Sequence, residues 1–168
     1  QAGRAGVVAH YGNEIRDTVW VDVQVGQGLV QLHPMESMDG WNVVLENVDA
    51  DGSGVSIVEG DDGEEVMQFD YRLVQGAAPL FRMKVEQTFE LFGVPRYVHV
   101  DAKSDGRNHR VFFDVEDAAG TRVTLFVPKF VNVVEFDSLW ASATWATMQP
   151  PIELRSVGVQ LAAGGAAG

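Results

Sequence analysis

Thr18-Val19-Trp20-Val21-Asp22-Val23-Gln24-Val25 sets valines at 19, 21, 23 and 25 against polar Thr18, Asp22 and Gln24. Period two marks a half-buried strand, because successive side chains leave a pleated backbone on opposite sides. The same signal recurs outward from this stretch. Leu29–Leu32 resumes it after Gly26-Gln27-Gly28, and Glu65–Leu73, Leu80–Val85, Tyr97–Ala102, Arg110–Val115, Arg122–Val127 and Ile152–Leu161 repeat it. Between these runs lie Asp51-Gly52, Asp62-Gly63, Asp105-Gly106 and Ala119-Gly120, which is turn chemistry. Short strands with turn signals about every 8–14 residues predict an all-β fold, an antiparallel β-sandwich. The one helical candidate is Phe136–Thr147, with room for a turn or two.

Totals narrow the function classes. The chain has 168 residues, 46% of them hydrophobic, enough for one packed domain or one domain with part of another. Mean hydropathy is −0.02, and no apolar run approaches the ~20 residues of a membrane helix, so membrane insertion is not expected. Twelve basic against 24 acidic residues give a net charge of −12. That charge repels phosphate backbones and anionic lipid, so nucleic acid is not an expected partner; it suits solubility or divalent-cation binding. The absence of cysteine excludes disulfides, thiolate zinc sites and cysteine nucleophiles. Three segments are expected: 1–26, a hairpin ending a preceding domain; 27–161, the main sandwich; and 162–168, a flexible Ala/Gly tail.

The sharpest local motif is Asp49-Ala50-Asp51-Gly52-Ser53-Gly54. Asp49, Asp51 and Ser53 stand at alternate positions and could turn their oxygens onto one calcium ion. An EF-hand would need its glutamate at Gly60, and the nearest one is Glu59, so that register fails. An ordinary acidic turn explains the motif at least as well. Sugar binding needs an aromatic face flanked by planar polar groups. Trp140 and Trp145 sit among small residues, and Tyr71, Arg82 and Tyr97 could line a sheet face. Trp20 and Trp41 are expected in the core. The histidines, His10, His33, His99 and His109, have no paired metal spacing and read as surface or strand residues. His99 and Asp101 share a strand face. No G-x-S-x-G, phosphate loop or G-x-G-x-x-G is present. Lys84, Arg96 and His99 are thin candidates for catalysis.

Two resemblances refine this reading. Ala5–Gly26, AGVVAHYGNEIRDTVWVDVQVG, resembles the closing strand pair of a bacterial immunoglobulin-like domain. Met35-Glu36-Ser37-Met38-Asp39-Gly40-Trp41, Val98–Gly106, Arg110–Gly120 and Pro151–Val159, in that order, resemble the segments of galactose-binding-like jelly-roll modules. Such modules are appended to secreted bacterial glycosidases, and phosphodiester glycosidases have a similar layout. The resemblance implies a jelly roll, a secreted or cell-surface location, and neighbouring domains of the same polypeptide. It also implies a structural calcium held through Glu36. The expected function is a non-catalytic carbohydrate-binding module that holds an attached enzyme against a polysaccharide. The alternatives are a structural spacer or docking β-sandwich, and a jelly-roll polysaccharide-active enzyme.

Overall fold

The computed structural model describes residues 2–11, 14–24, 32, 35–60, 63–73, 81–91, 95, 97–104, 108–128, 136–142 and 147–161; for 2–24 and for Phe81 the description is of the backbone. The chain divides into two compact units, 1–33 and 34–168. The expected segment 1–26 falls inside the first. That unit is an antiparallel hairpin of β1 (Ala2–Tyr11) and β2 (Glu14–Gln24), with a register shift between Ala9 and His10.

The second unit is built on a five-stranded antiparallel sheet in the order β3-β6-β11-β8-β9. Its strands are β3 (Asn42–Glu46), β6 (Phe81–Leu91), β11 (Ile152–Leu161), β8 (Arg110–Asp117) and β9 (Arg122–Phe126). Alternation decides which side chains go in. Met83 and Val85 on β6, Val111, Phe113 and Val115 on β8, Leu125 on β9, and Val157 and Leu161 on β11 are all buried on one face. The described residues of this unit also form two strand pairs, β4 (Gly54–Glu59) with β5 (Glu65–Asp70), and β7 (Tyr97–Ala102) with β10 (Asp137–Ser142). Val55 and Phe69 of the first pair, with Leu45, Val48, Tyr71 and Leu73, pack on Met83 and Leu161. Val98 of β7 and Leu139 and Ala141 of β10 are buried as well. The result is an all-β antiparallel sandwich.

Strand β11 keeps its core face through a β-bulge. Ile152 and Leu154 have even numbers, Val157 and Leu161 odd ones, yet all four are buried. A register shift between Leu154 and Ser156 leaves Arg155 without a partner on either neighbour, and one extra residue reverses the parity of the strand.

The far end of β8 is fastened by a carboxylate. Asp117 is 6% exposed. Its Oδ1 accepts from the backbone N–H of Ala119 (2.9 Å) and Thr121 (2.8 Å), and its Oδ2 from that of Gln149 (3.0 Å). These amides, Gln149 and Thr121 foremost, hold its carboxyl below the usual carboxylate range. Gly120, at φ 78°, supplies the left-handed residue of the β8–β9 turn. A second network crosses the outer side of the sheet. Asp114 accepts from the hydroxyls of Ser156 and Thr124, each at 2.6 Å, and lies 3.4 Å from Lys84 Nζ. Burial pushes the Asp114 carboxyl up, but the two hydroxyls and Lys84 outweigh it and the net shift is downward.

The helix expected over Phe136–Thr147 gives way to strand β10, because Leu139 and Ala141 alternate with outward Ser138, Trp140 and Ser142. Strands β3 and β4 were not expected. Val43-Val44-Leu45 is an apolar run without alternation, and among the described residues its strand, β3, pairs only with β6.

Candidate functional site

The outward face of the β7–β10 pair carries the features a ligand would use. Antiparallel register sets Ser142 opposite Tyr97, Trp140 opposite His99, and Ser138 opposite Asp101. Since Val98, Leu139 and Ala141 point into the core, these six residues share the opposite face. The His99 and Trp140 rings lie 4.2 Å apart between centroids and 34° from parallel. Tyr97 meets Trp140 edge-on, with centroids 6.0 Å apart at 85°. Such offset and edge-to-face contacts fix ring orientation, so the aromatic surface is preformed. Ser138 Oγ donates to Asp101 Oδ1 at 2.6 Å, and His99 Nε2 lies 3.1 Å from the same oxygen. Two residues further along, Lys103 Nζ stands 5.0 Å from the Phe136 ring centroid.

Exposure gives this face its meaning. Tyr97 is 42%, Phe136 45% and Trp140 42% exposed. Among the described residues, the large apolar side chains left this open are these three and Val123. Three aromatic rings on one narrow strand pair, interleaved with a carboxylate, an imidazole and an ammonium group, form an amphipathic strip. The rings can cover the C–H face of a sugar, while Asp101 and His99 can bond its hydroxyls.

The structure thus brings together two expected site residues, Tyr97 and Trp140. Trp145 lies outside the described residues, as does Arg96. Tyr71 and Arg82 belong to other surroundings. Tyr71 packs on the Met83–Leu161 cluster, and its hydroxyl is 3.0 Å from His109 Nε2. His109 itself is 6% exposed, so of the two positions expected for it, surface or strand, it takes a buried one in a bridge beside β8. Arg82 sits on the outer side of the five-stranded sheet, its guanidinium carbon 5.1 Å from the Phe112 centroid. Trp41 is half-buried, with its ring 5.5 Å from that of Phe89.

In the Asp49–Gly54 segment, Asp49 caps the short 3-10 turn Ala50–Gly52. Its Oδ1 accepts from the Asp51 N–H at 3.1 Å, and its Oδ2 lies 3.6 Å from Arg72 Nε. Ser53 Oγ accepts from the Arg72 N–H at 2.9 Å. Asp51 and Glu36 are exposed. Among the described residues, no group of three or more His, Asp and Glu side chains could hold a metal ion. Among the same residues, no helix is long and apolar enough to cross a membrane.

Phe136 and Lys103 were missed. The signal was present: Phe136, Ser138, Trp140 and Ser142 have one parity, as do Tyr97, His99, Asp101 and Lys103. Pairing the two runs requires contacts about forty residues apart. No protein-family model matches this chain, and no curated protein matches it significantly.

Proposed function

We propose that the chain is a non-catalytic carbohydrate-binding module, using the outward face of β7–β10 to hold a polysaccharide. The observation that carries this reading is the exposed Tyr97–Trp140 pair, locked edge to face beside Asp101 and His99. Preformed rings cost little ordering on binding, which suits a shallow, wet site of micromolar to millimolar affinity. The wider reading places the module in a secreted or surface-bound bacterial enzyme, with neighbouring domains as partners and a structural calcium ion. A spacer between domains is the second reading, and the division into two units favours it.

Affinity electrophoresis through neutral polysaccharides, with calcium and then with chelator, tests both. Retardation by one glycan, lost in Trp140→Ala and Tyr97→Ala at unchanged melting temperature, is the expected result. Mobility equal in every glycan gel would refute the module and leave the spacer. A melting temperature that falls in chelator would support bound calcium, and one that does not move would count against it.

A further inference from the structure

The outer side of the five-stranded sheet carries a second, independent feature. Strand β11 runs between β6 and β8, and its register sets Gln160 opposite both Arg82 and Arg110. Two residues along, Gly158 lies opposite Lys84 and Phe112. A Cβ built on Gly158 would come within 2.5 Å of Phe112 Cζ, so the ring lies directly over the bare backbone there. Phe112 is 1% exposed although it points away from the core face. Its cover includes Arg82, whose guanidinium carbon is 5.1 Å from its centroid, and the tilted Phe126 ring at 5.9 Å. Arg110 stacks on Phe126 from 4.4 Å, and Arg82 approaches that ring at 5.6 Å.

The two arginines are thereby held from their flat faces, leaving their N–H edges to find partners. Arg82 reaches Gln160 Oε1 at 3.4 Å, and Arg110 Nε reaches the Val127 carbonyl at 3.4 Å, both long bonds to neutral acceptors. Arg82 Nε is buried with no partner. Four other described cations have carboxylates: Arg72 has Asp49, Lys84 has Glu86 and Asp114, Arg122 has Glu116, and Arg155 has Glu116 and Glu153. Among the described residues neither Arg82 nor Arg110 has one, in a chain of net charge −12. Glu46 is opposite Arg82 in register on β3, yet forms no ion pair with it among the described residues. A guanidinium fork fits a planar carboxylate with two parallel bonds. Stacking has already restricted the rotamers, so little further ordering is needed.

We propose that Arg82, Arg110 and Gln160 form a site for the carboxylate of an acidic sugar, on the outer side of the five-stranded sheet. Taking the anion to be a sugar carboxylate rests on the proposed glycan-binding function; the anion site itself does not.

The test is a nuclear magnetic resonance titration of the intact chain with trigalacturonate, following the Arg Nε–Hε and Gln side-chain signals. Trigalacturonate methyl ester and triglutamate serve as controls. The expected result is saturable shifts at Arg82, Arg110 and Gln160 with the free acid and none with the ester. The dissociation constant should rise at least tenfold in Arg110→Gln and in Arg110→Lys, which keeps the charge but loses the fork. Trp140→Ala should leave this titration unchanged, so failure of the neutral-glycan strip and failure of this site are read separately. Absence of shifts with the acid, equal shifts with the ester, or an unaltered constant in Arg110→Gln would overturn the proposal. Equal response to triglutamate would overturn its restriction to sugars.

Discussion

Gly158→Ala should be the most damaging single methyl group that can be added to this sheet. The new carbon would lie 2.5 Å from Phe112 Cζ, 2.7 Å from Lys84 Cβ and 2.7 Å from the Met83 carbonyl oxygen. The carbonyl is held in the β6–β11 ladder and cannot turn away, so relief requires parting the strands or expelling the Phe112 ring. Overpacking of this kind costs about 1–3 kcal/mol. Expelling the ring forfeits much of the ~1.5–3 kcal/mol that burying a phenylalanine contributes. The sheet should take the cheaper route, at about 1–3 kcal/mol, with Tm falling by roughly 3–12 °C for a unit of this size. Urea denaturation followed by tryptophan fluorescence reads it as a lower midpoint at unchanged slope. Phe112→Leu in the same chain removes the closest atom but not the carbonyl contact, so the double variant should recover part of the loss. A Gly158→Ala chain within about 0.5 kcal/mol of the parent, the range of an ordinary surface change, would refute the packing argument.

Asp117→Asn should lower the melting temperature, because one amide oxygen cannot replace two carboxylate oxygens serving three backbone N–H groups; an unchanged melt would remove Asp117 as a fastening point. Asp114 and Asp117 both have folded-state values below the ordinary one, so their stabilisation is complete above the unfolded carboxylate value. It should be lost as pH falls through the folded values, and melting curves from pH 7 downward should show a decline that is shallower in Asp114→Asn. Tyr71→Phe removes the hydroxyl facing His109 and should cost about 1 kcal/mol by urea denaturation. Ser138→Ala frees Asp101 from its shortest bond and should change glycan affinity while leaving stability unaltered, since both side chains are exposed.

Much of the sandwich was legible. Tyr97–Ala102 and Ile152–Leu161 have the bounds their alternation predicts. The second holds even though its parity reverses at Arg155, because the bulge is a local event inside an otherwise regular run. Strand β10 was misread as a helical turn because Ala141 and Ser142 carry little β preference, and only tertiary burial fixes them. The site was half legible. Trp140 and Tyr97 could be named from residue type, and His99 with Asp101 from parity. That His99 lies flat against Trp140 depends on pairing between strands forty residues apart, which a single sequence does not encode locally. Tyr71 and Arg82 show the converse: a polar aromatic and a basic residue on strands fit a binding face by type, and packing takes each elsewhere.

The Asp117 clamp has a further consequence for how this surface could change. By gripping both the β8–β9 turn and Gln149, one carboxylate closes the chain excursion from Arg122 to Met148 at its two ends. Strands β9 and β10, with Trp140 and Phe136, lie within that closed excursion, while the ladder of β6, β11 and β8 lies outside it. Lengthening a closed loop is entropically mild, about 0.6 kcal/mol for each doubling. Substitutions at the outward positions Ser138, Trp140 and Ser142 therefore leave the clamp and that ladder in place, whereas Leu139 and Ala141 are buried. The clamp is a fixed joint, and the outward side of β10 is the part free to vary around it.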